Sequence, residues 1–311
     1  MSKNSIKVFA PATVSNVGPG FDILGFALQT PGDEVILKLT NSKGIKINKI
    51  TGVKKKLPFN IYKNTATVAL SSLMKKYGIK EGIEVTINKK MGVSSGLGSS
   101  AASSVASVYG LNHLLNLKLK KKQLLPHALE GERISSGSIH ADNVAPSLFG
   151  GFLLIRSYNP IDIIKIKSPD NLYCTIIYPQ IEIKTNYARK ILPKKIELSK
   201  VVQQTGNLAG LIYGLSSSNY DLISKSLTDV LIEPVRSKLI LGFQEIQKSV
   251  ISAGALGCSI SGSGPSMFAL SNSLSIAINI KKAAKIVTDK LKLNTTFYIS
   301  KINKRGPKIL D

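Results

Sequence analysis

The sequence predicts a mixed α and β protein built in two halves, and three observations carry that expectation. Strand-like runs with period-2 patterning alternate with helix-length apolar-periodic runs along the whole chain. The length, 311 residues, exceeds the roughly 250–300 at which one core stops growing. Near residues 157–170 the composition turns to Pro, Asn and Asp, which divides the chain into 1–157 and 158–311.

In the first half, residues 5–10, 33–39 and 45–50 read as strands. Asn64 stands where an N-cap is needed for a helix over 65–77, and Gly78 closes it. Residues 84–88 return as a strand. After a Gly/Ser loop at 92–102, residues Ala101, Val105, Val108, Asn112 and Leu115 share one helical face. A second helix is expected over 121–134. The stretch SSGSIHADNVAPSLFGG (135–151) reads as loop, and 152–156 as a strand leaving it. The second half opens with a buried-looking strand at 173–178. Helical patterns follow at 185–192, 198–215, 219–227 and 242–253, and strand-like runs flank SGSGP at 261–265. A helix at 275–291 and a strand at 295–302 complete the pattern, with no internal repeat and no long low-complexity segment.

Apolar residues make up 43% of the chain, enough for sizeable cores. The two cysteines, Cys174 and Cys258, lie in apolar strand-like runs, which argues against a disulfide framework or a cysteine zinc site and for a reducing cytoplasm. No long apolar segment of the kind a signal peptide or membrane span needs stands at the N-terminus, so a soluble cytoplasmic protein with no membrane partner is expected. The net charge of +24 invites a nucleic-acid reading. The lysines contradict it: they occur singly or in short runs such as Lys54–Lys56 and Lys120–Lys122, as a general bias toward Lys, Ile and Asn gives. No nucleic-acid partner is expected, although the positive field raises the on-rate of a polyanionic nucleotide.

The segment GVSSGLGSSAA (92–102) joins a strand to a helix, where exposed main-chain N–H groups and the positive helix end favour an anion such as phosphate. Its reading has competitors. A Walker A loop needs a lysine after the last glycine, and none follows Gly98. A dinucleotide fingerprint accepts Gly96 to Ala101 but wants an acid about 20 residues on, where this chain has lysine and leucine. Gly92 to Gly96 meets GxSxG literally, yet His113, His127 and His140 all lie in the first half, against the order a hydrolase needs. A plain Gly/Ser turn between strand and helix stays open for the segment taken alone. Two further unusual loops are APATVSNVGPGFDILG (10–25), with Asn16 and Asp22 as polar groups in an apolar setting, and SGSGP (261–265). Each, taken alone, is also what an ordinary turn looks like.

The three loops in this order resemble the motifs of the GHMP small-molecule kinases, the superfamily named for galactokinase, homoserine kinase, mevalonate kinase and phosphomevalonate kinase. PATVSNVGPGFDILG, HADNVAP (140–146) and IEPVR (232–236) are similar to its homoserine kinase branch, while the galactokinase signature is absent. The resemblance spans essentially the whole chain. One departure is that Met91–Gly92 stands where the family's phosphate loop often begins with Pro, which bears on loop rigidity more than on activity. The resemblance implies an α+β fold with an N-terminal α/β domain similar to the second domain of a ribosomal protein and a ferredoxin-like C-terminal domain. It implies transfer of the γ-phosphoryl of ATP to the side-chain hydroxyl of L-homoserine, a step toward threonine, with Mg²⁺ and in a homodimer.

By the same resemblance, Gly92, Val93, Ser94, Ser95, Gly96, Leu97, Gly98, Ser99, Ser100, Ala101 and Ala102 would wrap the nucleotide, and Ser99 or Ser100, with Glu132, would hold the metal. A helix terminus alone contributes only about 0.3–2 kcal/mol toward an anion, so several N–H bonds and a metal must share the work. A magnesium ion takes one or two protein oxygens beside phosphate and water, and a loop serine with Glu132 fits that count. Asn16, Asp22, His140, Asp142, Thr185, Arg189, Arg236 and Gly262 are implied about the acceptor, with Asp142, Asn143 and Glu132 as the catalytic set. Arg189 and Arg236 suit a carboxylate and Asp22 an ammonium. Asp142 is expected to aim the hydroxyl while transfer proceeds by direct attack through a loose transition state, and no lysine near the loops is an evident helper. Read from their local sequence alone, Glu132 and Arg189 are also ordinary solvated helix residues and His140 an ordinary loop histidine. A GHMP kinase for mevalonate, a sugar or shikimate, or a binding protein that kept the fold, are the alternatives.

Overall fold

In a computed structural model, residues 4–53, 57–136 and 140–310 are described. The lysine run 54–56 and residues 137–139 of the expected loop lie outside them. In chain order the elements are β1 (Ser5–Ser15), β2 (Leu24–Thr40), β3 (Ile45–Thr51), α1 (Thr65–Tyr77), β4 (Gly82–Asn88), α2 (Ser99–Leu114), α3 (Lys121–Ser136), α4 (Ala141–Phe149), β5 (Phe152–Tyr158) and β6 (Ile161–Ile166). They continue as β7 (Tyr173–Pro179), α5 (Thr185–Lys190), α6 (Leu198–Ser217), α7 (Tyr220–Ser226), α8 (Glu233–Arg236), α9 (Phe243–Ser252), β8 (Gly257–Ile260), β9 (Met267–Ser271), α10 (Leu274–Lys290), β10 (Thr295–Lys301) and β11 (Lys308–Leu310).

The class is α+β, in two sheets. The first is seven-stranded, ordered β11-β1-β2-β4-β3, with β5 pairing the start of β2 and β6 pairing β5. Strand β2 is its spine: residues 34–40 pair β4 and residues 24–26 pair β5, while β1 runs along the other edge from Ser5 to Ser15. Helices α1, α2 and α3 pack together, and α2 lies on β1 and β2. Asn64 caps α1 as its sequence predicts, accepting from the Ala66 N–H at 3.1 Å, and Gly78 closes it at φ 65°.

The second sheet is four-stranded and antiparallel, ordered β10-β7-β9-β8, which is the 4-1-3-2 order of a ferredoxin-like unit, with α9 and α10 packed on it. One apolar cluster joins the two sheets, and a second lies between the four-stranded sheet and helices α9 and α10. Phe26 stacks on Phe152 at 4.5 Å and meets Phe268 of the second sheet edge-on at 5.9 Å. A cluster that includes Val8, Leu37 and Val105 continues into Cys174, Ile176 and Leu270.

Ala101, Val105, Val108 and Asn112 of the expected α2 face are buried, and so are Ser103, Ser104, Ala106 and Ser107 on its other sides, because small side chains let neighbours close around the helix; of its residues only His113 is exposed. One expectation is corrected. The stretch read as loop at 135–151 contains α4. Pro146 leaves the Asp142 carbonyl without the N–H it would otherwise receive, and that carbonyl rests against Gly25 of β2, where a Cβ would stand 1.9 Å from it. The expected division at 157/158 falls before the last residue of β5, which pairs with β6, and β11 returns to β1 of the first sheet.

Candidate active site

The three unusual loops meet. The end of β1 carries Thr13, whose N–H donates to the Leu97 carbonyl at 3.0 Å. The loop between β8 and β9 binds both others: Gly262 N–H donates to Ser15 O at 3.0 Å, Ser266 N–H to Ser95 O at 3.2 Å, and Ser261 Oγ to Gly96 O at 2.7 Å. Asn16 completes the stitching. Its Nδ2 donates to Gly262 O at 2.8 Å and its Oδ1 accepts from the Asp22 N–H at 2.7 Å.

Around these bonds lies a cleft of about 340 Å³. Its floor is the loop from Val93 to Ser100. That loop winds through left-handed backbone at Ser94 (φ 58°), Gly96 (φ 80°) and Gly98 (φ 64°), leaving the start of α2 aimed into the cleft. Gly98 is fixed twice over, since a Cβ there would also sit 2.0 Å from Thr13 Oγ1. Among the described residues, no main-chain N–H from Gly92 to Ser100 donates a hydrogen bond to another protein group. Of the expected nucleotide residues, Gly92, Ala101 and Ala102 do not line the cleft: Gly92 backs onto the Tyr178 ring and both alanines are buried in α2.

The two serines that open α2 separate. Ser99 Oγ turns inward and donates to Asp33 Oδ2 at 2.8 Å, whereas Ser100 Oγ donates to Glu132 Oε2 at 2.6 Å inside the cleft. Of the two serines implied beside Glu132, Ser100 is the one that reaches it. Successive residues of a first helical turn point about 100° apart, and only one can face α3.

At the other end of the cleft stand Asn16, Asp22, His140, Asp142, Asn143, Thr185, Arg189, Arg236 and Gly262. Arg189 of α5 and Asp22 form a two-pronged ion pair at 2.7 and 3.0 Å. Arg236 of α8 is 3% exposed and has no ion-pair partner among the described residues; its Nε donates to Ala188 O and its Nη1 to Gly262 O, each at 3.1 Å. Burial, then Arg189, push its pKa down to about 10, so it stays charged at neutral pH. Both guanidiniums lie over Phe21, at 5.4 and 5.0 Å. Helix α8 is held by Asp229, which accepts from the N–H groups of Leu231, Ile232 and Glu233, and Gln204 ties Asp229 back to Pro19 O.

Asp142, in the first turn of α4, is 1% exposed, and its Oδ1 has no hydrogen-bond partner among the described residues. Burial first, then Asp22 and Glu132, lift its pKa to about 7. Burial also pushes the His140 imidazole below its ordinary value. Asn143, expected as catalytic, spends its side chain on β1: Oδ1 accepts from Thr13 Oγ1 at 2.7 Å and Nδ2 donates to Ser15 Oγ at 2.9 Å. Thr185 Oγ1 lies 3.3 Å from Ser263 Oγ.

The sequence reading missed the end of the cleft beyond the loop, formed by Leu57, Pro58, Lys63, Asn64 and Thr65, and it missed Lys89. Asn64 was visible as a helix cap and nothing more. Lys89 is one lysine in a lysine-rich chain, and only the return of β4 beside the loop brings it into the cleft.

An amide-lined loop facing, across one cleft, a buried cation with no ion-pair partner among the described residues, in this two-sheet fold, defines a kinase of small molecules. Residues 64–151 match the family described as GHMP kinases N terminal domain, and residues 211–289 match GHMP kinases C terminal. A homoserine kinase of Chlorobium phaeobacteroides (strain BS1) is 46% identical over 97% of this chain and 98% of its own length. One of Methanococcus vannielii is 39% identical over 85% and 87%. The crystal structure of homoserine kinase from Cytophaga hutchinsonii superposes with a TM-score of 0.98 at 52% identity, covering 100% of this chain and 98% of that one. A mevalonate kinase from L. major shares the fold at 18% identity and a TM-score of 0.77. The chain belongs to the homoserine kinase family of the GHMP kinases.

Proposed function

We propose that this chain transfers the γ-phosphoryl of ATP to the side-chain hydroxyl of L-homoserine, with the nucleotide phosphates on the loop from Val93 to Ser100 and the amino acid between Asp22, Asp142, Arg189 and Arg236. The observation that carries this reading is the run of unspent main-chain N–H groups facing the same cleft as the buried Arg236. Both are anion sites, one built for a phosphate chain and the other for a single carboxylate. Ser95 Oγ, buried and without a hydrogen-bond partner among the described residues, is a further donor to phosphate.

The acceptor's carboxylate pairs with Arg236 and with Arg189 once Asp22 turns to the ammonium. Asp142 Oδ1 accepts from the reacting hydroxyl. The hydroxyl oxygen attacks the γ-phosphorus, the bond to the β–γ bridging oxygen breaks and leaves with ADP, and the hydroxyl proton passes to Asp142. Thr185 and His140 flank the acceptor, while Asn16 and Asn143 act as positioning residues that hold the walls of the site together.

A magnesium ion suits the donor set at Ser100 and Glu132: a hydroxyl and a carboxylate are hard oxygen ligands, and phosphate oxygens and water complete the shell. Among the described residues no cluster of three or more His, Cys, Asp or Glu is gathered that would hold a metal without the nucleotide. When bound, the ion neutralises charge on the β- and γ-phosphates. Glu132→Gln is expected to raise the Mg²⁺ concentration for half-maximal rate at least about tenfold with the L-homoserine KM unchanged, measured by Mg²⁺ titration of ADP release.

The proposal includes a homodimer in the cytoplasm. Helix α6 leaves Leu198, Val202 and Tyr213 at 77, 66 and 66% exposure, an apolar face that a second copy would cover, and light scattering of the pure protein decides it. Among the described residues no helix is long and apolar enough to cross a membrane. The test of the activity is ADP release with ATP and Mg²⁺ across L-homoserine, mevalonate, shikimate and a hexose. L-homoserine is expected to support turnover and the others not; preference for any other acceptor refutes the reading.

A further inference from the structure

We propose that the buried Asp33–Lys89 pair clamps both ends of the phosphate loop and sets nucleotide affinity by position, without touching the nucleotide. The inference rests on the reading of residues 93–100 as the phosphate site. Asp33 lies on β2 with no exposure, and the Lys89 side chain, just past β4, is 4% exposed. Asp33 pairs with Ala10 of β1, and its neighbour Glu34 pairs with both Phe9 of β1 and Asn88 of β4, so the carboxylate stands where β2 becomes paired on both sides.

One carboxylate reaches both sides of the loop. Oδ1 accepts from the N–H groups of Lys90 at 2.8 Å and Met91 at 3.3 Å, the residues that lead into it. Oδ2 accepts from Ser99 Oγ at 2.8 Å, the residue that leads out of it, and pairs with Lys89 Nζ. Lys89 repeats the grip at the far end, donating to Ser99 O at 2.7 Å and to Ser103 Oγ at 2.8 Å. Its ammonium has three N–H donors, and Asp33, Ser99 and Ser103 take them all. Lys89 therefore lines the cleft with no proton left for a phosphate.

The arrangement answers a need of the loop itself. Residues 92–98 make no main-chain N–H bonds of their own, so the geometry that converges their amides comes from outside. Fixing the two ends on one carboxylate removes an ordering cost that each nucleotide would otherwise meet on binding. A buried ion pair is a weak stabiliser compared with well-packed apolar residues in its place, so stability alone does not account for a pair here.

The test is calorimetric titration of the wild type and of Asp33→Asn, Lys89→Met and Ser99→Ala with Mg·ADP and with adenosine, beside the L-homoserine KM and the melting temperature. Asp33→Asn is expected to weaken Mg·ADP about 10–100-fold, the scale of a loop displaced by about an ångström. Adenosine affinity and the L-homoserine KM should move less than about threefold, within the effect of one weak contact. Lys89→Met should cost less than Asp33→Asn, because the carboxylate alone still spans the loop. Ser99→Ala removes one link, should cost about 3–10-fold, and serves if Asp33→Asn does not fold. A larger loss of Mg·ADP affinity in Lys89→Met than in Asp33→Asn makes Lys89 a direct phosphate ligand and overturns the clamp. Wild-type affinity in a folded Asp33→Asn, or in Ser99→Ala where Asp33→Asn does not fold, overturns it as well. A wild type that binds no Mg·ADP refutes the phosphate reading of the loop, which is a different failure.

Discussion

Arg236→Met is expected to raise the L-homoserine KM by about 10²–10³-fold while the KM for ATP stays within about threefold, because two charge-assisted hydrogen bonds to a carboxylate are lost and nothing at the nucleotide end changes. The size follows from the setting. Arg236 is buried, its guanidinium meets two carbonyls and the Phe21 face, and no acid among the described residues neutralises it. A cation held that way is costly unless an anion arrives, and the acceptor's carboxylate is that anion in the proposed reading. Steady-state kinetics with each substrate varied in turn checks it. Arg236→Lys should recover only part of the loss, since an ammonium cannot make the planar two-pronged pair. Equal damage to both KM values would point to collapse of α8 instead.

Asp142→Asn is expected to lower kcat by about 10²–10⁴-fold, the usual worth of a positioned proton acceptor, with a smaller change in the L-homoserine KM. The same substitution should make the folded protein more stable at pH 8. Burial lifts the Asp142 pKa from 3.8 to about 7. Between those values the folded state keeps a proton that the unfolded chain has lost, so stability falls as pH rises from about 4 to about 7 and then levels off. Asparagine carries no such penalty, which is on the order of a few kcal/mol above pH 7. Melting curves at pH 5 and pH 8 read the difference: the two proteins should lie close together at pH 5 and separate at pH 8. The wild-type kcat/KM for L-homoserine, which reports the free enzyme, should rise with pH through about 7, where the carboxylate becomes ionised and able to take a proton. A kcat within about tenfold of wild type would leave Asp142 the aiming role that its sequence position suggested.

The three loops were legible because glycine, proline and serine runs of that density have few other uses, and their order along the chain pointed to one family. Legibility ended where position depends on partners distant in sequence. Helix α4 hides behind Pro146 and the glycines around it, and only its contact with Gly25 of β2 explains how a proline sits inside it. Ser99 and Ser100 are indistinguishable as letters, and the choice between Asp33 and Glu132 is made by which face of α2 each presents. Asn143 looked reactive beside Asp142, yet Thr13 and Ser15, some 130 residues away, consume its amide. Strand β6 was missed because five of its six residues are partly or wholly exposed, so no clean alternation marks it, and the 157/158 division followed from that omission.

The ion pair between Arg189 and Asp22 has a consequence for what the cleft will admit. Each group already satisfies the other, so a neutral alcohol or a bare anion can enter only by leaving one of them stranded. A zwitterion substitutes for both at once, in kind, carboxylate for carboxylate and ammonium for guanidinium. Selection of the head group is thus separate from reading of the hydroxyl at Asp142. Amino acids of similar length that lack a reactive hydroxyl should dock as competitive blockers rather than be turned away at the door.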